Sequence, residues 1–250
     1  MDKVFDKDKV IVIIPCYNEQ ENLIKVLNEL RTVKHKYSFL DLLFINDSST
    51  DGTERILKNN NEKYINHPIN LGYNSAIQTG LKYGIESGYN YFILMDGDGQ
   101  HPPSEIEKFL DSFGENADIV IGSRFTNGYS STYKIPFIRK LGMIFFSVFT
   151  SFLIGSRIKD TTSGFQMFTD RVARVLVYVY DSPFPDAEVL FMLNLLNFKI
   201  KEIPVEMRMR ESGESMISSF NALYYPLRVF SGLIFTYGRY FMIRGKVNDA

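Results

Sequence analysis

Short apolar runs, each followed by a polar cluster, organise the first half of the chain. Val10 to Ile14 (VIVII) is continuous and β-branched, the pattern of a strand buried on both faces, and Pro15 is expected to end it. Leu40 to Ile45, Tyr91 to Met95 (YFILM) and Ile119 to Ile121 repeat the pattern, with a weaker strand near Tyr64. Between them the period changes. Glu19 to Leu30 carries Leu23, Val26, Leu27 and Leu30 on one helical face. A short helix follows Gly52, Gly72 to Glu86 predicts a glycine-weakened helix, and Pro102 and Pro103 suit the first turn of a helix reaching Ser112. Further on, a helix is expected over Val189 to Leu196 and a strand over Lys199 to Val205.

Strands alternating with helices imply an α/β chain with a mostly parallel, doubly wound sheet. Right-handed crossovers then collect the strand C-terminal ends on one edge, where ligands bind. The polar clusters after Ile14, Ile45, Met95 and Ile121 all fall on that edge. No internal repeat or low-complexity linker divides the chain. One domain is expected over residues 1–219, with halves of about 1–125 and 126–219, followed by an amphipathic tail at 220–250.

Composition narrows this picture. The 250 residues are 45% hydrophobic, enough for a sizeable core, and a net charge of −1 gives no bulk attraction to nucleic acid. The single cysteine, Cys16, excludes an internal disulfide and is read as a packing residue in a reducing compartment. Met1 to Lys9 lacks the apolar core of a signal peptide. Leu141 to Ile154 and Phe220 to Ile243 are strongly apolar, yet the first is short and Arg228 and Arg239 interrupt the second. Bracketed by Arg139, Lys140, Arg157, Arg244 and Lys246, they suit helices lying on an anionic membrane surface or packing in a core, rather than spanning.

The chemistry concentrates at Asp96-Gly97-Asp98-Gly99-Gln100. Carboxylates at i and i+2 past a strand point the same way if the chain stays extended, and close like charges call for a cation. Few hard oxygen ligands suit Mg²⁺ or Mn²⁺, which keeps water and substrate phosphates in its shell. The competing reading is a solvated Asp-Gly turn. His35 and His67 read as surface residues, and His101 as part of the loop.

Taken in order, Pro15-Cys-Tyr-Asn-Glu19, Asn46-Asp47-Ser-Ser-Thr-Asp51-Gly-Thr53, Met95-Asp-Gly-Asp-Gly-Gln-His-Pro-Pro103, Gly122-Ser-Arg-Phe125 and Asp160-Thr-Thr-Ser-Gly-Phe165 resemble the family 2 glycosyltransferases of GT-A fold. Within them the chain is most similar to the dolichol-phosphate mannose synthase and polyprenyl-phosphate glycosyltransferase branch, over roughly residues 9–220. The resemblance implies that residues up to about 125 hold a UDP- or GDP-sugar and that 126–219 form the acceptor side. Pro15, Tyr17 and Glu19 would line the nucleoside pocket, Asp47 would contact base or ribose, and Asp96, Gly97, Asp98 and Gln100 would hold the metal and diphosphate. Arg210, opening Arg-Glu-Ser-Gly-Glu-Ser215, would close over the diphosphate. The chain departs from the pattern in carrying Asn46-Asp47 for the usual acidic pair, and glycines where relatives often have Ala and Leu around the second metal acid.

The resemblance also implies an inverting reaction, with displacement at C1. The acceptor is a separate question. A sugar hydroxyl needs a general base, whereas a phosphate monoester, with a second pKa of about 6, is already largely dianionic at neutral pH and needs cations to place it. Arg124 and Arg139 match phosphate-binding arginines of the branch, with Ser163 and Gly164 shaping a turn beside them; surface ion pairs are the alternative for the arginines. Asp186 is open between general base, sugar-hydroxyl ligand and N-cap, since related synthases often lack an acid there but keep the one at Glu188. The expected partners are polyprenyl phosphate, the cytoplasmic membrane face, held peripherally, and a small integral membrane protein. Transfer to a glycan hydroxyl and a non-catalytic membrane scaffold are the competing functions.

Overall fold

The computed structural model describes residues 9–114, 117–125, 158–180, 186–208, 232 and 235–241. Strands β1 (Val10–Cys16), β2 (Leu40–Asn46), β3 (Tyr64–Asn66), β4 (Tyr91–Leu94), β5 (Ile119–Ser123), β6 (Gln166–Thr169) and β7 (Ile200–Pro204) form one sheet in the order β3-β2-β1-β4-β6-β5-β7. All neighbours are parallel except β6, which runs antiparallel to both β4 and β5. The expected strands are present; β1 continues through Pro15 to pair Cys16 with Asn46. β6 has no counterpart among the strands expected from the sequence. Its four residues follow a turn motif and alternate too briefly to declare themselves.

Helices cover both faces. Val10, Val12 and Ile14 of β1 pack with α1 (Gln20–Lys36), α2 (Thr53–Asn59) and α4 (Ile106–Ser112), the last entered through a 3₁₀ turn at Pro103–Glu105. Ile11 and Ile13 face α3 (Tyr73–Glu86), α5 (Asp170–Val179) and α6 (Asp186–Leu195). The glycines that weaken α3 as a helix are its contact with the sheet: a Cβ at Gly80 would strike Ile13, and one at Gly84 would strike Phe92. The helix gives up intrinsic propensity for close approach to β1 and β4.

This topology positions the site. β1, β2, β4 and β5 end on one edge, as the polar clusters predicted. Because β6 runs the other way, it starts at that edge, and the Asp160–Phe165 turn arrives beside the acids that follow β4.

Candidate active site

The loops after β1 and β2 are fastened together by side chains reaching for backbone N–H groups. Ser49 Oγ accepts from the Asn18 amide at 3.0 Å, and Asn18 Oδ1 accepts from the Thr50 amide at 2.8 Å. Thr53 Oγ1 accepts from the Glu19 amide at 2.8 Å, and Asp51 accepts from the amides of Gln20 and Thr53 at 3.1 and 2.9 Å. Asn18 holds φ at 55°, a conformation asparagine tolerates better than most residues. Burial works to raise the Asp51 carboxyl, but hydrogen bonds from Thr53 and Gln20 outweigh it and leave the group below its ordinary value. Beside this junction Tyr17 is exposed, while Glu19 is buried and accepts from Asn22 Nδ2 at 2.7 Å.

Asp47 is 3% exposed, and its carboxylate is taken up by protein donors. The amides of Leu71 and Gly72 donate at 2.9 and 2.7 Å, and His67 Nδ1 lies 2.7 Å from Oδ1. His67 Nε2 meets Thr79 Oγ1 at 2.9 Å. The surface reading of His67 is therefore corrected: it is buried, spanning from Asp47 to α3, because a desolvated carboxylate needs partners. Asn46, also buried, bonds Asn66 and Ser49, so the two residues after β2 hold neighbouring backbone in place.

The acids after β4 stand differently. Gly97 sits where the chain presses against β1: a Cβ there would lie 2.7 Å from Cys16 Sγ and 3.0 Å from the Pro15 carbonyl. Cys16 is buried packing, as its sequence context implied. Its thiol is pushed well above its ordinary value by burial and then by the carboxylates of Glu19, Asp96, Asp98 and Asp51. Glu19, Asp51, Asp96 and Asp98 together make this sheet edge acidic. Asp96 Oδ1 accepts from the Tyr73 hydroxyl at 2.6 Å, and its amide donates to His101 Nδ1 at 3.0 Å. His101 is buried and stacks on Phe165 at 4.8 Å between centroids. Its pKa is pushed down to about 4, chiefly by burial, with Asp98 and Asp160 opposing the fall and Arg124 adding to it. A neutral ring with Nδ1 as acceptor follows, so His101 braces the Asp96 backbone. Asp98 Oδ1 accepts from the Gln100 amide at 2.9 Å, and the Gln100 carbonyl accepts from Arg208 at 2.9 Å.

The Asp96 and Asp98 side chains remain partly open to solvent, Asp96 by 25%. Among the described residues no three acids, histidines or cysteines converge into a protein cage for a metal. Two half-open carboxylates on an acid-rich edge fit instead a cation that completes its shell with water and substrate oxygens.

On the opposing side, Arg124 Nε and Nη2 donate to the two oxygens of Asp160, each at 2.8 Å, and Nη2 also reaches Thr162 Oγ1 at 2.8 Å. Asp160 is 1% exposed and also accepts from the Arg124 amide at 3.0 Å. Glu202 of β7 receives the amides of Lys159 and Asp160, at 3.1 and 2.7 Å from Oε1. Ser163 is buried; its Oγ accepts from the Phe165 amide at 3.3 Å and its carbonyl from Gln166 Nε2 at 2.7 Å. Gly164 closes the gap between the two sides: a Cβ there would lie 3.0 Å from the Tyr73 hydroxyl and 3.4 Å from Asp96 Oδ2.

The structure thus brings Pro15, Glu19, Asp47, Asp96, Gly97, Asp98, Gln100, Arg124 and Ser163 to one edge, with Tyr17 exposed at the end of β1. Arg139, Arg210 and the apolar stretch Leu141 to Ile154 lie outside the described residues, as does most of the tail. Asp186 is the first described residue of α6, and its side chain lies outside the description. Tyr73, His67 and Asp160 are the contributors that sequence reasoning left without a role. Asp160 opens the Asp160-Thr-Thr-Ser-Gly-Phe165 motif, whereas nothing in the local pattern marks Tyr73.

The family model for glycosyl transferase family 2 matches residues 11–176. The polyprenol monophosphomannose synthase of Mycolicibacterium smegmatis is 29% identical over 222 residues, covering 85% of this chain and 82% of that protein. The undecaprenyl-phosphate mannosyltransferase of Micrococcus luteus is 29% identical over 218 residues, covering 84% and 88%. Among solved structures, glucosyl-3-phosphoglycerate synthase from Mycobacterium tuberculosis, in complex with Mn²⁺ and UDP-glucose, superposes with a TM-score of 0.65 at 15% identity, covering 93% of this chain and 80% of that one. That likeness carries the GT-A fold, and the family match carries the chemistry class: this chain belongs to the family 2 glycosyltransferases.

Proposed function

We propose that the chain transfers a hexose or N-acetylhexosamine from a UDP- or GDP-sugar to a polyprenyl phosphate, by inverting displacement at C1. The observation that carries this reading is the meeting of Asp96, Tyr73 and Gly164, which sets an acidic, half-open strand end against the acceptor-side turn. Asp96 and Asp98 would hold Mg²⁺ or Mn²⁺, which stabilises charge growing on the departing diphosphate. Tyr17 and Glu19, at the loop junction, would line the nucleoside pocket; Asp47 would serve it through the backbone it grips. The names of the relatives favour a lipid-phosphate acceptor, including a dolichyl-phosphate N-acetylglucosaminyltransferase of Methanococcus voltae that is 30% identical over 188 residues and covers 68% of this chain and 73% of that protein. Such an acceptor arrives ionised, so the protein has to position it rather than deprotonate it. Arg124 would act from within its pair with Asp160, joined by Arg139, with Ser163 shaping the turn and Arg210 closing on the donor.

Peripheral membrane association belongs to the same reading. No helix among the described residues is long and apolar enough to cross a membrane. Helical residues 235–241 expose Phe235, Tyr237 and Phe241 while burying Thr236, and Arg239 Nη2 donates to the Tyr178 carbonyl at 2.6 Å. Aromatic side chains on an outer helical surface suit an interface.

A second reading, transfer to a sugar hydroxyl, is favoured by one observation: Asp160 already engages the Arg124 guanidinium through two nitrogens. Incubating the protein with UDP- and GDP-sugars, Mn²⁺ and polyprenyl phosphate, with mass spectrometry of the lipid, tests the first reading. Asp186→Asn separates the two. A moderate fall in rate with Arg139→Ala raising KM for the lipid supports the phosphate acceptor; a loss of about 10²–10⁴ with a mild arginine effect replaces it with a hydroxyl acceptor and Asp186 as base.

A further inference from the structure

We infer that Tyr73 is the positioning residue of the metal-binding acid Asp96. The inference rests on the metal reading above and adds a residue that the sequence motifs do not contain. The Tyr73 hydroxyl donates to Asp96 Oδ1 at 2.6 Å, a short bond of the kind made to a charged acceptor. The Asp96 amide is separately held by His101 Nδ1 at 3.0 Å. Backbone and carboxylate are therefore each held by a separate partner, which restrains the carboxylate before any ligand arrives. Partners of this kind around ligating carboxylates orient them for the ion.

The position of Tyr73 is itself controlled. It is the first residue of α3, directly after Gly72, whose φ of 91° disfavours a side chain. Asp47 grips the amides of Leu71 and Gly72 at 2.9 and 2.7 Å. A continuous path runs from the buried Asp47, through the turn it clamps, to the phenol and on to Asp96. Gly164 bounds the arrangement, since a methyl there would stand 3.0 Å from the phenol oxygen and 3.4 Å from Asp96 Oδ2. Asp47 therefore acts on the donor site at one remove, through Tyr73.

Tyr73→Phe deletes one oxygen and keeps the ring, so the packing of α3 is preserved. Mn²⁺ is titrated into the parent, Tyr73→Phe, Gly164→Ala and Asp96→Ala proteins, alone and with UDP or GDP, with free Mn²⁺ followed by its paramagnetic resonance signal. Thermal melting of the metal-free proteins is recorded alongside. The expected result for Tyr73→Phe is a Mn²⁺ dissociation constant raised about 10–100-fold, with an unchanged melting temperature and transfer restored by raising Mn²⁺. Gly164→Ala, which crowds the same contact without removing a polar group, shifts the constant in the same direction by less. Equal Mn²⁺ affinity in parent and Tyr73→Phe overturns the inference while leaving the metal reading intact. So does an activity loss that excess Mn²⁺ does not restore. A parent protein that binds no Mn²⁺ under any of these conditions removes the metal reading and this inference together.

Discussion

The loop after β2 and the loop after β4 start alike and end in opposite environments. Each follows an apolar parallel strand, each opens with acidic or amide side chains, and both lie on the same sheet edge. Asp47 is almost wholly buried, with two amides and an imidazole on its carboxylate. Asp96 keeps a quarter of its side chain exposed and shares the strand end with Asp98. A carboxylate withdrawn from water is tolerable only when protein donors replace the water, and a carboxylate so supplied has become scaffold. A strand-end acid is thus assigned to structure or chemistry by the donors that tertiary packing brings to it.

The largest expected effect tests the chemical half of that contrast. Asp96→Ala or Asp98→Ala is expected to remove nearly all transfer, several kcal/mol in the transition state, with melting close to that of the parent. Full activity in either variant, or in EDTA, breaks the contrast. Asp47→Ala is expected to invert the pattern. It leaves the buried His67 and the amides of Leu71 and Gly72 without their acceptor, costing about 3 kcal/mol of stability in urea unfolding. A variant of parental stability that no longer binds the nucleotide would return Asp47 to direct nucleoside contact.

Crowding the point where the two loops share β1 has a smaller effect. Gly97→Ala forces a methyl to within 2.7 Å of Cys16 Sγ and 3.0 Å of the Pro15 carbonyl, and should cost about 1–3 kcal/mol. Cys16→Ala in the same chain should recover part of that, and a strictly additive double variant would show that the contact is not shared. The smallest effect is in acid. The Asp51 carboxyl lies below its ordinary value, so the unfolded chain binds its proton more readily. Its stabilisation is present above the ordinary carboxyl pKa and is lost as pH falls through the lower, folded value. Asp51→Asn is expected to flatten the acid limb of stability against pH, while leaving neutral-pH transfer in place.

Parts of this organisation are legible residue by residue. Val10 to Ile14 and Tyr91 to Met95 announce buried strands because a parallel sheet covered on both faces admits little but apolar side chains. The Asp96-Gly97-Asp98 spacing and the ordered motifs around it point to the family and to the acids at the sheet edge. β6 was not legible, since four residues between turn and helix carry too little period. The burial of His67 was not legible either, because its partner Asp47 lies twenty positions away and the need for it arises only once that carboxylate leaves water.

The α/β alternation, the edge on which the polar clusters gather and the residue types available there are written locally in the chain, because each depends on neighbours a few positions apart. Tertiary structure alone decided which acid stays half-open, which is filled, and that Tyr73 and Gly164 meet Asp96. Those contacts join α3, the acids after β4 and the turn before β6, elements far apart along the chain, and they follow from sheet order and from β6 running against its neighbours. Hydrogen-bond donors act over about 3 Å, so the distances set by folding, and not the spacing along the chain, assign the roles.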